Sequence, residues 1–195
     1  MPNYVTSVLY FEGAQESIDH VLGQIAFRPT LADDPEETRP HGIGTIDFNQ
    51  ILPLPVEKLI LGHVSDAEQN AAASIGRTTG LDWKRKNWGT KWNACGGERL
   101  SPSSIRFTTA WNPPIPVIKA LSGYFPDLGM CLEYADENLG CGCGEILFKA
   151  GEIVSHEIPQ ACVVEAYELA ARVHGIDLAE KGYVRVGDFY EWRAA

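Results

Sequence analysis

Long apolar runs are missing from this sequence. The longest, Ile51 to Val56, is far shorter than the ~20 residues a helix needs to cross a bilayer, so no helical membrane span is expected. The opening residues, Met1-Pro2-Asn3-Tyr4, carry no basic stretch with an apolar one behind it. No secretory leader is therefore expected, and the reading places the protein in the cytoplasm. Cysteine is sparse and odd in number: Cys95, Cys131, Cys141, Cys143 and Cys162 are the five. Such a set does not build the disulfide framework of a small secreted domain, and reduced thiols are expected.

Catalytic signatures are missing too. The chain has no G-x-S-x-G elbow, no P-loop and no dinucleotide fingerprint. His20, His41, His63, His156 and His174 form no H-x₃-H or H-E-x-x-H pair. Gly140 to Gly144 is glycine-rich but follows an acidic turn, a poor cradle for phosphate. Nothing here promotes an enzyme or a resident cofactor. Positive charge is the scarcer sign, with 16 Lys and Arg against 26 Asp and Glu and a net charge of −10. That balance argues against general affinity for DNA or anionic membranes.

What is present is an ordinary globular composition, 45% hydrophobic and 22% charged, at a length of 195 residues that suits one domain with additions. Tyr4 to Phe11 reads as a strand. Ile18, Val21, Leu22 and Ile25 recur at helical spacing and predict a helix over Ala14 to Ala26. Arg28 to Gly44, rich in Pro, Asp and Glu, reads as a surface loop. Thr45 to Leu52 suggests a second strand stopped by Pro53 and Pro55, and helices are expected at Asp66–Ser74 and Leu81–Trp92. Ser104 to Trp111 reads as a strand, followed by a helix over Ile115 to Tyr124 whose first turn tolerates proline. Leu128, Met130, Leu132 and Tyr134 alternate along a strand, with Cys131 and Glu133 facing the other way. A strand at Glu145–Lys149 and a helix from Gln160, ending near Gly175, complete the pattern. Together these elements predict an α+β fold: a ferredoxin-like split β-α-β antiparallel sheet. A helical insertion at about 56–92 and a C-terminal helical extension from about 155 would be added to this single domain, 1–195.

Several strings resemble a known family. They are Met1-Pro2-Asn3, Asn49-Gln50-Ile51-Leu52-Pro53-Leu54-Pro55, Asp82-Trp83 and Trp88-Gly89-Thr90-Lys91-Trp92-Asn93-Ala94. They continue through Thr109-Ala110-Trp111-Asn112-Pro113-Pro114-Ile115-Pro116-Val117-Ile118 to Phe125-Pro126-Asp127-Leu128. Over residues 1 to about 135 the chain looks like the YubB family, whose ferredoxin-like domain occurs in plasmid and phage proteins. The resemblance implies the fold and a mobile-element setting. It implies no iron–sulfur cluster, since the fold name describes geometry, and it carries over no catalytic residues.

Two constellations are candidates for function. Between Arg77 and Arg106 lie seven basic side chains against two acidic ones. Within that island Lys84, Arg85, Lys86 and Lys91 interleave with Trp83, Trp88 and Trp92. These residues could stack and grip a single strand of RNA or DNA, or anchor a protein partner. The plainer readings are a solvated helix face and tryptophans, Trp111 included, that lock a corner of the core. The second constellation is Cys141-Gly142-Cys143, which with Cys131, His156 or Cys162 could chelate a soft metal. Its spacing is poor for zinc and no second pair exists, so no metal is expected. Weighed together, the sequence reads as a non-enzymatic accessory protein of a mobile element that binds a host protein or nucleoprotein. Lys84, Arg85, Lys86, Trp88, Lys91 and Trp92 are the candidate contact residues, and interference with host defence is one possible role. An RNA or single-stranded DNA binder using the island at 83–99 is the alternative, and a small cysteine-centred metal protein or enzyme is a third.

Overall fold

The computed structural model describes residues 3–26, 45–60 and 65–193. The loop expected at Arg28–Gly44, with His41, lies outside the described residues, as does His63. In chain order the elements are β1 (Tyr4–Glu12), α1 (Gln15–Ile25), β2 (Leu59–Ile60), α2 (Asp66–Ser74), β3 (Thr78–Thr79) and α3 (Gly80–Asn87). They continue with β4 (Cys95–Ser101), β5 (Ser104–Ala110), α4 (Ile115–Tyr124), β6 (Gly129–Asp136) and β7 (Gly144–Lys149). Last come β8 (Glu152–Glu157), α5 (Val164–His174), β9 (Tyr183–Val186) and β10 (Phe189–Trp192).

Six strands form one sheet in the order β4-β5-β1-β6-β7-β8, every neighbouring pair antiparallel. β1 sits between β5 and β6, with Leu9 opposite Ile105 on one side and Leu132 on the other. Because successive side chains of a strand point to opposite faces, β1 feeds two cores. Val5, Leu9 and Phe11 join Ile18, Val21, Leu22 and Ile25 of α1 and Val117, Ile118 and Leu121 of α4. Val8 points the other way, into a smaller cluster with Ala135, Cys143 and the α5 residues Ala166, Leu169, Ala170 and Val173. The sheet is thus sandwiched, with α1 and α4 on one face and α5 on the other. The β9–β10 hairpin packs on α5, stacking Tyr183 and Tyr190 against Tyr167 with ring centroids 5.4 Å apart in each case.

Expectation and structure part at five places. The extension expected to be helical from about 155 holds the end of β8 and the β9–β10 hairpin beside α5. Thr45 to Leu52 is not a strand, because its backbone is served by side chains instead of a ladder. Phe48 N–H donates to Asn93 Oδ1 at 2.9 Å, Asn49 N–H to Asp47 Oδ1 at 2.9 Å, and Asn93 Nδ2 to Asp47 Oδ1 at 2.7 Å. Short Asx side chains compete in this way with regular structure, and a 3₁₀ turn at Phe48–Gln50 results. The helix expected over Leu81–Trp92 ends at Asn87, since Gly89 takes φ +80. Any Cβ there would also meet Pro116 Cδ at 2.8 Å. Trp92 therefore does not share a helical face with Trp88. Strands β4 and β8 flank the predicted sheet at its two edges, and neither has an alternating pattern to reveal it. Finally, Trp111 is 51% exposed, not part of the core: it follows β5 with φ 73, a left-handed turn that carries its ring away from the sheet.

Candidate functional site

The basic island disperses on folding. Trp88 is fully buried, with its indole N–H donated to Leu52 O at 2.8 Å and its ring edge-on to Trp83 and Phe48. Lys84 is also buried, its Nζ 5.6 Å from the Trp88 ring centroid, so its charge faces an aromatic wall. Lys91 and Trp92 are half-buried, with the ammonium 5.0 Å above the ring. Arg99 pairs with Asp19 at 3.1 Å, and Arg106 pairs with Glu98. Arg77, Arg85 and Lys86 are exposed. The six candidate contacts therefore comprise two core residues, one half-buried stacked pair and two surface cations.

A different polar cluster lies on the α5 face, where the sequence reading placed no binding site. Glu133 on β6 is buried, and Arg172 on α5 grips its carboxylate: Nε reaches the two oxygens at 3.0 and 3.1 Å, and Nη2 reaches Oε1 at 2.7 Å. Tyr10 on β1 donates to Glu133 Oε2 at 3.2 Å. Strand alternation sets this up, because Tyr10, Cys131 and Glu133 all occupy positions facing α5. Burial, then the adjacent Glu133 carboxylate, pushes the Tyr10 phenol up to about 12. Burial, followed by Glu145 and Glu133, pushes the Cys131 thiol to about 12. Glu145 on β7 is raised above the usual carboxylate range by burial first and then by Glu133 and Glu157. Negative charge is therefore crowded here beyond what Arg172 neutralises.

That crowding opens onto a groove of about 440 Å³ between the end of β8 and α5, lined by Glu145, Glu157, Glu165, Glu168 and Arg172 over Ile158, Pro159 and Leu169. This mix of carboxylates and apolar side chains suits a long cationic side chain, whose methylenes contact the apolar groups while its head meets the acids. Beside the groove runs β8, the last strand of the sheet, with no further strand along its outer side among the described residues. Ile153 and Val154 on it, and Ile158 just beyond, are exposed. An open edge of this kind offers backbone donors and acceptors to an added strand.

Folding separates the two thiols of the Cys141-Gly142-Cys143 string. Cys143 is buried in the α5 cluster, its thiol 3.5 Å from Ala166 O, and burial raises it. Cys141 instead lies against Cys162, sulfur to sulfur at 3.9 Å. Gly140, next to Cys141, takes φ +78, and a Cβ there would sit 2.7 Å from the Tyr167 ring. Among the described residues no three His, Cys, Asp or Glu side chains gather as a metal would require. Among them, too, no helix is long and apolar enough to cross a membrane.

Comparison with known proteins finds two similarities. A structural neighbour is the crystal structure of a protein api92 from Yersinia pseudotuberculosis. It aligns with a TM-score of 0.44 at 10% sequence identity, covering 83% of this chain and 99% of that one. No curated protein matches the chain. The model of the family described as "Ferredoxin-like domain in Api92-like protein" matches residues 87–177, the stretch that carries Glu133, Arg172, the acidic groove and Cys141 with Cys162.

Proposed function

We propose that this protein is a non-enzymatic binding module that takes an extended, basic segment of a partner protein along β8 and into the groove beside α5. The observation that carries the reading is the juxtaposition of an open strand edge with a groove lined by Glu145 of β7, Glu157 of β8 and Glu165 of α5. A strand added to β8 would gain main-chain hydrogen bonds, while Lys or Arg side chains would reach Glu145, Glu157 and Glu165. Within this reading, the sheet order and the helices following β1 and β5 correspond to a split β-α-β arrangement. The likeness to plasmid and phage proteins of the YubB family supports reading the setting as a mobile element in the cytoplasm, and the partner as a host protein or the protein part of a nucleoprotein. Interference with host defence is a role consistent with that setting.

The test is titration of a fluorescent, extended Lys/Arg-rich peptide, followed by anisotropy at two salt concentrations. Binding should weaken with salt and fall at least about 10-fold in Glu157→Lys/Glu165→Lys, the order expected for two lost charge-assisted contacts. Affinity that ignores both the salt and the charge reversal would remove the groove from consideration. Capture from host lysate with wild type and the charge-reversed variant side by side would then identify the partner as the protein lost only with the variant.

A further inference from the structure

We propose that Cys141 and Cys162 form an oxidisable dithiol, at which a low-molecular-weight disulfide of the glutathione class is reduced while the two thiols close into an intramolecular disulfide. The sulfurs are already in contact at 3.9 Å although 21 residues separate them in sequence. The two segments are joined beside the thiols, because Cys162 N–H donates to Gly140 O at 2.8 Å, while Cys141 N–H closes its own turn on Asn138 O at 3.2 Å. Closing to the ~2.05 Å of a disulfide thus asks mainly for side-chain rotation. Cys162 is a non-glycine residue held at φ 66, a conformation such residues adopt only where the surroundings impose it. It presents this sulfur at the surface.

The two thiols have different parts. Cys162 is exposed, whereas Cys141 is half-buried. Burial, followed by the hydrogen bond to Cys162, raises the Cys141 thiol, which makes it the poorer first attacker; its contact with the Cys162 sulfur places it to resolve the intermediate. In the first exchange the Cys162 thiolate attacks one sulfur of the small disulfide. The S–S bond breaks, and one small thiolate leaves and takes up the proton lost by Cys162. A mixed disulfide now sits on Cys162. Cys141 loses its proton and attacks the Cys162 sulfur, and the second small thiol departs with that proton. Two protein thiols are oxidised and one small disulfide is reduced to two thiols, so the electrons balance. The product would tie the β6–β7 turn to the lead-in of α5, bracketing β7 and β8. Cys143 takes no part, since its sulfur is enclosed against Ala166.

The full-length protein equilibrated with oxidised glutathione should lose about 2 Da, the two hydrogens given up, and yield a tryptic link between the peptide carrying Cys141 and that carrying Cys162. Cys143→Ser should keep the link. Cys141→Ser should stop one step earlier, holding one glutathione on Cys162, and Cys162→Ser should form no internal disulfide. Persistent glutathione on the wild-type chain, no reaction at all, or an internal disulfide surviving in Cys162→Ser would each overturn the assignment. The readout is independent of partner binding, so its failure leaves the groove untouched.

Discussion

The guanidinium of Arg172 on α5 grips the carboxylate of Glu133 on β6 through contacts of 2.7, 3.0 and 3.1 Å. One charge-assisted pair thereby anchors the helix that covers the second face of the sheet. The Glu133 side chain is 8% exposed and that of Arg172 is 55% exposed, so the pair is buried at the acid end and wet at the other.

Breaking this pair from one side leaves a carboxylate in the interior. Arg172→Leu should cost about 3 kcal/mol, the lower end of the range for an orphaned buried charge, because water can reach the arginine side. Replacing both residues, Glu133→Leu with Arg172→Leu, should recover most of that loss, since an apolar pair of similar size is often neutral or better. Urea unfolding of the two single variants and the double variant measures the coupling. A loss under about 1 kcal/mol in Arg172→Leu would mean the pair behaves as a surface contact.

The acid cluster makes stability depend on pH in a stated direction. Tyr10 and Glu145 are both raised in the folded protein, so each holds its proton in the native state after the unfolded chain has released it. Between the unfolded and folded values the native state binds more protons, and stability falls as pH rises. For Tyr10 the window runs from about 10 to about 12. The difference absorbance spectrum between wild type and Tyr10→Phe should show phenolate appearing near pH 12 or at alkaline unfolding, not near 10.

For Glu145 the loss begins as pH passes the ordinary carboxylate value and runs up through the raised value of the folded protein. Glu145→Gln should therefore be neutral or stabilising at pH 7, within about 1 kcal/mol as for partly exposed charges. Its advantage should shrink on acidification, as the wild-type acid takes up its proton. Destabilisation by Glu145→Gln at pH 7 would show that this carboxylate is favourably paired.

The tryptophans should separate by burial. Trp88→Ala removes a fully buried ring and orphans Leu52 O, and should cost ~3–5 kcal/mol, a large share of a domain's ~5–15 kcal/mol. Trp111→Ala, at a half-exposed ring, should cost about 1 kcal/mol or less, the range of surface changes. Thermal melts of the two proteins would show the contrast, and equal losses would reject it.

Nucleic acid should bind weakly. With Arg77, Arg85 and Lys86 exposed in the island, and the exposed Arg99 held by Asp19, a single strand would give a log–log salt slope no steeper than roughly −2. Anisotropy of a labelled RNA should show little binding at 0.15 M salt. A steeper slope, flattened by Arg85→Ala/Lys86→Ala, would favour nucleic acid over the protein partner.

The elements with periodic burial were legible in the sequence itself. Ile18, Val21, Leu22 and Ile25 mark α1, and the alternation of Leu128, Met130, Leu132 and Tyr134 marks β6 and its core face. Proline in the first turn places α4 at Ile115–Tyr124, because hydrophobic period and backbone stereochemistry are local properties. Edge strands β4 and β8 left no such trace, since a strand lacking a neighbour on one side and a covered face needs no alternation to persist. The Asp47–Asn93 bonds that replace the expected second strand join residues 46 apart, beyond any window of periodicity. The basic island was read as one surface because its residues are close in sequence, yet α3 is short and Gly89 turns the chain, which sends Trp88 inward and parts it from Trp92. Conversely, Glu133 with Arg172, and Cys141 with Cys162, are distant in sequence and meet only because β6, β7 and α5 stack. Local periodicity determined which segments are helices and strands; which side chains share a site was decided by the packing of the layers, through contacts that no neighbouring residues encode.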